Sequence, residues 1–63
     1  KSTLHVVASA EIVELDSNVS LSSKTSGIDE ISYTLADSNF ETLKTIENSL
    51  RTKSSVVSIQ LCK

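Results

Sequence analysis

A chain of 63 residues holds one domain, and a domain this small buries only about 60% of the surface its unfolded chain exposes, so its stability is marginal without further support. One cysteine excludes an internal disulfide, and the only soft ligands, His5 and Cys62, stand at opposite ends of the sequence, far from metal-site spacing; docking to a partner, or to the rest of a longer protein, is the support that remains. A formal net charge of −2 with one Tyr and one Phe gives neither the basic stripe nor the stacking platform of a nucleic-acid binder, and no apolar run approaches the ~20 residues of a membrane span.

In chain order, residues 3–15 carry two patterns. Leu4, Val7, Ala8, Ile12 and Leu15 make a helical stripe that Ser2 would cap, while Leu4, Val6, Ala8, Ala10 and Ile12 alternate as a strand would. Length and alanine content favour the helix; Val6-Val7 and Ile12-Val13 speak for the strand. Asp16-Ser17-Asn18 turns the chain. In 18–24, Val19 and Leu21 alternate with serines, and Lys24-Thr25-Ser26-Gly27 signals a hairpin turn in which the only glycine is free to take a positive φ. In 28–36, Ile31, Tyr33 and Leu35 alternate with Glu30, Ser32 and Thr34, a half-buried strand antiparallel to the one before. Over 38–51, Ser38 and Glu41 form a capping box, Phe40, Leu43, Ile46 and Leu50 line one helical face, Lys44, Glu47 and Arg51 occupy the others, and Glu47 precedes Arg51 in the favourable order for an ion pair. Val57, Ile59 and Leu61 then alternate in a last strand, 56–61, which makes a right-handed strand–helix–strand unit with 28–36.

The expected order is therefore α-β-β-α-β: one small α+β domain over residues 1–63, two helices on one face of a sheet. Against the ferredoxin-like order β-α-β-β-α-β it lacks the first strand. That leaves a slot between the last strand and the hairpin, to be closed directly, by a strand following Lys63 in a longer parent (the circularly permuted version), or by a partner's strand. The start at Lys1 rather than Met suggests a piece of a longer protein, so the lack of a visible signal peptide does not speak against one in the parent.

The stretches Leu4-His5-Val6-Val7, Val19–Leu21, Ile31-Ser32-Tyr33-Thr34-Leu35, Phe40 with Leu43, and Val56–Leu61 resemble the C-terminal periplasmic domains of the inner-membrane platform proteins of type II secretion and type IV pilus assembly, the M- and L-proteins and the pilus N- and O-proteins. The likeness covers nearly the whole chain, through hydrophobic spacing, and departs from the family in the missing final strand. It implies a ferredoxin-like assembly domain, periplasmic as part of a membrane-anchored parent, that forms a homodimer or pairs with a similar domain. Asn18-Val19-Ser20-Leu21 with 28–61 is also similar to ACT domains, which sense amino acids; here there is no room for the first ACT strand before residue 3, and the glycine of the usual ligand loop is absent.

No catalytic constellation can be assembled. His5 and Cys62 have no sequence neighbours that would make a nucleophile–base pair, and Asp29-Glu30 and Glu11/Glu14 read as solvated carboxylates. A single glycine leaves no phosphate-cradling loop. Asn18-Val19-Ser20 matches a glycosylation sequon. Tyr33, Leu35, Phe40, Val57 and Ile59 are expected in the core. The apolar residues left over, Val6, Val13 and Val56, are the interface candidates. The expectation is a non-catalytic protein–protein interaction module without cofactor, metal or nucleic acid, with an ACT-like amino-acid-binding regulatory domain as the alternative.

Overall fold

A computed structural model describes all 63 residues. The chain opens with a strand, β1 (Ser2–Ala8), followed by one helical turn, α1 (Val13–Asp16), a hairpin of β2 (Leu21–Ser26) and β3 (Ile31–Asp37), a helix α2 (Phe40–Leu50) and a last strand β4 (Val56–Cys62). The four strands form one antiparallel sheet in the order β2-β3-β1-β4, with α2 packed across one face. The molecule is a two-layer α+β domain.

The opening strand corrects the helix expected over 3–15. Leu4, Val6 and Ala8 are each fully buried, whereas His5 is exposed. Residues Ser2 to Ala8 pair with Asp37 to Ile31 on one side, and Thr3 to Ala8 pair with Cys62 to Val56 on the other. A central position lets β1 satisfy its backbone twice over, an advantage that local helix propensity does not match. The expected slot in the sheet is thereby filled: the strand that the α-β-β-α-β order lacked is residues 2–8. β3 and β4 do not pair with each other; they run parallel with β1 between them, so α2 crosses over an inserted strand.

α1 is short for reasons the sequence supplies. Its N-cap, Ile12, has no side-chain acceptor, no basic residue sits in its last turn, and Asp16 opposes the negative end of the helix dipole. Ile12 and Leu15 are nonetheless buried, dropped onto the sheet from this turn. The following strand starts later than expected because Asn18 closes a turn of its own: its Oδ1 accepts from Ser20 N–H at 2.8 Å and its carbonyl from Leu21 N–H at 3.1 Å. Val19 is left wholly exposed, and Lys24-Thr25-Ser26, expected as the turn, belong to β2. Gly27 does not adopt positive φ. Its N–H donates to Glu30 O at 2.7 Å, and a Cβ there would stand 3.1 Å from that carbonyl, so the residue serves a close approach.

The cap of α2 is Asn39, not Ser38: Asn39 Oδ1 accepts from Glu41 N–H at 3.0 Å. Leu43 and Leu50 are buried, as is Glu47, which was expected on an outer face; its carboxylate reaches Arg51 at 3.0 Å, the expected helical ion pair. The core is Leu4, Val6, Ala8, Ile12, Leu15, Tyr33, Leu35, Leu43 and Leu50. Phe40 and Ile59 are half-buried, and Val57 lies outside the core at 68% exposure, because the β1–β4 register slips between Val7 and Ala8 and leaves Val57 without a partner on β1.

Candidate functional site

Three features of the surface are candidates for function. The first is a polar clasp that holds residues 9–20 against the hairpin. Lys24 Nζ donates to Asp16 Oδ1 and to Glu11 Oε2, each at 2.8 Å, and lies 5.5 Å from the centre of the Tyr33 ring. Tyr33, 1% exposed, accepts from Ile12 N–H at 3.0 Å and donates to Asp16 Oδ1 at 3.3 Å. The hydrogen bonds from Lys24 to Asp16 and then to Glu11 raise the lysine pKa well above its ordinary value. That keeps the group cationic and unfit as a base. Every member of the cluster is occupied by another, and neither cleft described below is lined by any of them. The arrangement fastens a segment that lacks a full helix. Sequence reasoning missed it because its members are 8 to 21 positions apart and share no periodicity.

A second polar group lies at the other end of the hairpin. Asp37 Oδ1 accepts from Asn39 N–H and its Oδ2 from the Ser20 hydroxyl, both at 2.8 Å, and these bonds, the backbone one foremost, hold its pKa below the usual 3.8. Lys53 lowers that of Glu14 in the same direction, through its hydrogen bond. Both folded-state pKa values are depressed, so the unfolded chain takes up protons first. The stabilisation is complete above the ordinary carboxylate range and is lost as pH falls through the folded pKa. Thermal melts at about pH 5 and about pH 3 are expected to show a fall in Tm that is smaller in Asp37→Asn, whose side chain no longer titrates. An identical fall in both proteins would rule out Asp37 as a contributor. Ser20 is buried and Asn18 is engaged in its turn, so the sequon lies in a structured turn.

The third feature is the sheet itself. Its helix-free face carries Thr3, His5 and Val7 from β1, Ser32, Thr34 and Ala36 from β3, and Ser58 and Gln60 from β4, none of them charged. His5 Nδ1 stands 3.4 Å from Thr34 Oγ1 and is exposed. Of the two edges, β2 carries Lys24 and a register break between Leu21 and Ser23, both devices that discourage pairing with another chain. β4 (VVSIQLC) has no charged residue, proline or glycine, and its irregularity is confined to its start. Beside it lies a recess of about 200 Å3 lined by Arg51, Val56, Val57, Ser58 and Ile59. A second cleft of about 190 Å3, between α1 and α2, is lined by residues including Glu14, Asn18, Thr45 and Ser49.

Of the interface candidates, Val6 is fully buried between β3 and β4 and has no surface to offer; lying off the stripe of the expected helix, it is a core position of the strand. Val13 is 74% exposed on α1, and Val56 is half-buried in the recess. The structure does not bring the three together on one patch. Val57, expected in the core, is the exposed valine at the edge. His5 and Cys62 lie on adjacent strands, with His5 opposite Gln60 and Cys62 opposite Thr3. No three His, Cys, Asp or Glu residues cluster as metal ligands would, no buried side-chain polar atom lacks a partner, and no helix is long and apolar enough to cross a membrane. Compared with known protein families, with curated proteins and with solved structures, the chain matches none.

Proposed function

We infer that this domain is a non-catalytic protein–protein assembly module that takes an additional strand at the free edge of β4. The observation that carries this reading is the contrast between the two edges. An unprotected edge strand with high β propensity and no charge is a template for pairing, and β4 is such a strand, whereas β2 is blunted. A domain of 63 residues gains from such pairing the burial that its own core is too small to supply. The resemblance to the periplasmic platform domains of secretion and pilus assembly offers a setting of this kind. It now leans on the hairpin, α2 and β4, since residues 2–8 form a strand and not the helix that opens the permuted order.

The ACT-like reading is favoured by that same strand, because a strand now precedes α1. Its natural site would be the cleft between α1 and α2, with Glu14 and Asn18 as polar partners. At about 190 Å3 the cleft falls short of the ~300 Å3 at which ligand pockets usually begin, which leaves assembly the better supported function.

Hydrogen exchange separates the two. An excess of a peptide copying residues 55–63 is expected to slow amide exchange in β4 and to leave β2 unchanged, while a mixture of free amino acids alters neither. Protection of Glu14, Asn18 and the facing turn of α2 by one amino acid would favour the regulatory reading. Protection of neither region would remove the edge as a binding site.

A further inference from the structure

Within the assembly reading, on which this inference rests, we propose that the strand taken up by β4 is the β4 of a second copy of this chain, paired antiparallel about Ile59 to make one continuous eight-stranded sheet. β4 is its own complement in that register. Val57 falls opposite Leu61, Ser58 opposite Gln60, and Ile59 opposite itself. Directly opposed residues in an antiparallel pair point to the same face. Ile59 and Leu61 are half-buried on the helix side, opposite Val6 and Leu4, while Ser58 and Gln60 are exposed on the helix-free side. Apolar therefore meets apolar on one face and polar meets polar on the other.

The edge offers a second copy no other partner of equal fit. A β4-to-β2 contact would set Ile59 and Leu61 against a strand whose residues beyond Leu21 are Ser, Lys and Thr. That contact would also be head-to-tail, with no closure to stop the addition of further copies, whereas pairing about Ile59 is two-fold and closed. Centring the pair one residue on, at Gln60, would place Val57 opposite Lys63 and leave an exposed apolar side chain facing a charge. The Ile59 centre removes the 68%-exposed Val57 from water against Leu61, over the recess that Arg51 borders. Charge is no obstacle, since Lys63 falls opposite Ser55 of the other copy.

Two double variants test both the partner and the register by sedimentation velocity, with melting curves as the check on folding. Ser58 and Gln60 are exposed and face Val7 and His5 within their own sheet, so neither substitution strains the monomer. Ser58→Lys/Gln60→Lys sets lysine opposite lysine twice and is expected to weaken the dimer ~2- to 30-fold, whereas Ser58→Lys/Gln60→Glu sets opposite charges face to face twice and is expected to keep or tighten it. Equal dimerisation of both variants and the unaltered chain would overturn the β4 pairing and leave assembly through another surface standing. A tighter double-lysine variant would overturn the register. A chain that stays monomeric up to ~1 mM, a concentration at which even weak self-pairing registers, overturns the second copy as partner; the assembly reading then stands or falls on whether the 55–63 peptide protects β4.

Discussion

Leu4→Ala is expected to remove a large share of the domain's stability. Leu4 is fully buried at the middle of β1, with Leu35 opposite on β3 and Leu61 opposite on β4, so a truncation there opens a void that three strands share. Buried leucine-to-alanine changes cost ~2–5 kcal/mol through lost transfer energy and the cavity left behind. A domain of this length has roughly 3–9 kcal/mol in total, at ~0.05–0.15 kcal/mol per residue. The loss is therefore a large fraction of the total, and at the low end of that total it unfolds the chain. Urea titration followed by far-ultraviolet circular dichroism measures it, with the fully exposed Val19→Ala as a reference of unchanged stability. A loss below ~1 kcal/mol would mean that the sheet around Leu4 can collapse into the space.

Tyr33→Phe is expected to cost ~1–3 kcal/mol, and to spend most of it locally. The ring remains, so no cavity forms. What disappears is the hydroxyl to which Ile12 N–H donates at 3.0 Å, in a buried setting, and which itself donates to Asp16. An amide left unpaired inside a protein retains its desolvation penalty. The segment between β1 and β2 has one turn of helix to hold it and depends on the clasp of Tyr33, Lys24, Asp16 and Glu11. Native-state hydrogen exchange should therefore show residues 11–16 opening more readily in the variant while β1 and β3 keep their protection. Uniform loosening of the whole sheet would contradict the clasp as a local fastening.

The sequence made the hairpin, α2, β4 and the α+β class legible, and the misread element shows where period counting stops. Leu4, Ala8 and Ile12 are spaced by four, which is close to a helical turn and is also an even number, so the same three residues satisfy both patterns. The residues that distinguish the readings are Val6 and Val7: a helix buries Val7, a strand buries Val6. Val6 is fully buried and Val7 is half-buried. What tips that balance is pairing to residues 31–37 and 56–62, which no local window contains. Val57 departs from its expected core position for a related reason: strict alternation holds until a bulge, and a bulge has no sequence signature here. The edge was harder to see, since VVSIQLC reads the same whether one neighbour covers it or two; only the strand order exposes it. The clasp left no trace at all, because its parts meet only in the folded chain.

The register of β1 against β4 has one more consequence. Thr3 lies opposite Cys62 on adjacent antiparallel strands, so the two ends of the chain leave the sheet on the same side, with Thr3 and Cys62 about 5 Å apart at the strand spacing. A polypeptide that enters and exits at neighbouring points can be spliced into a surface loop of another protein with hardly any displacement of the flanking backbone. The same closeness allows the two ends to be joined by a short linker and new ends opened at the Gly27–Glu30 turn, giving a rearranged chain in which the opening strand and the closing strand become a single hairpin.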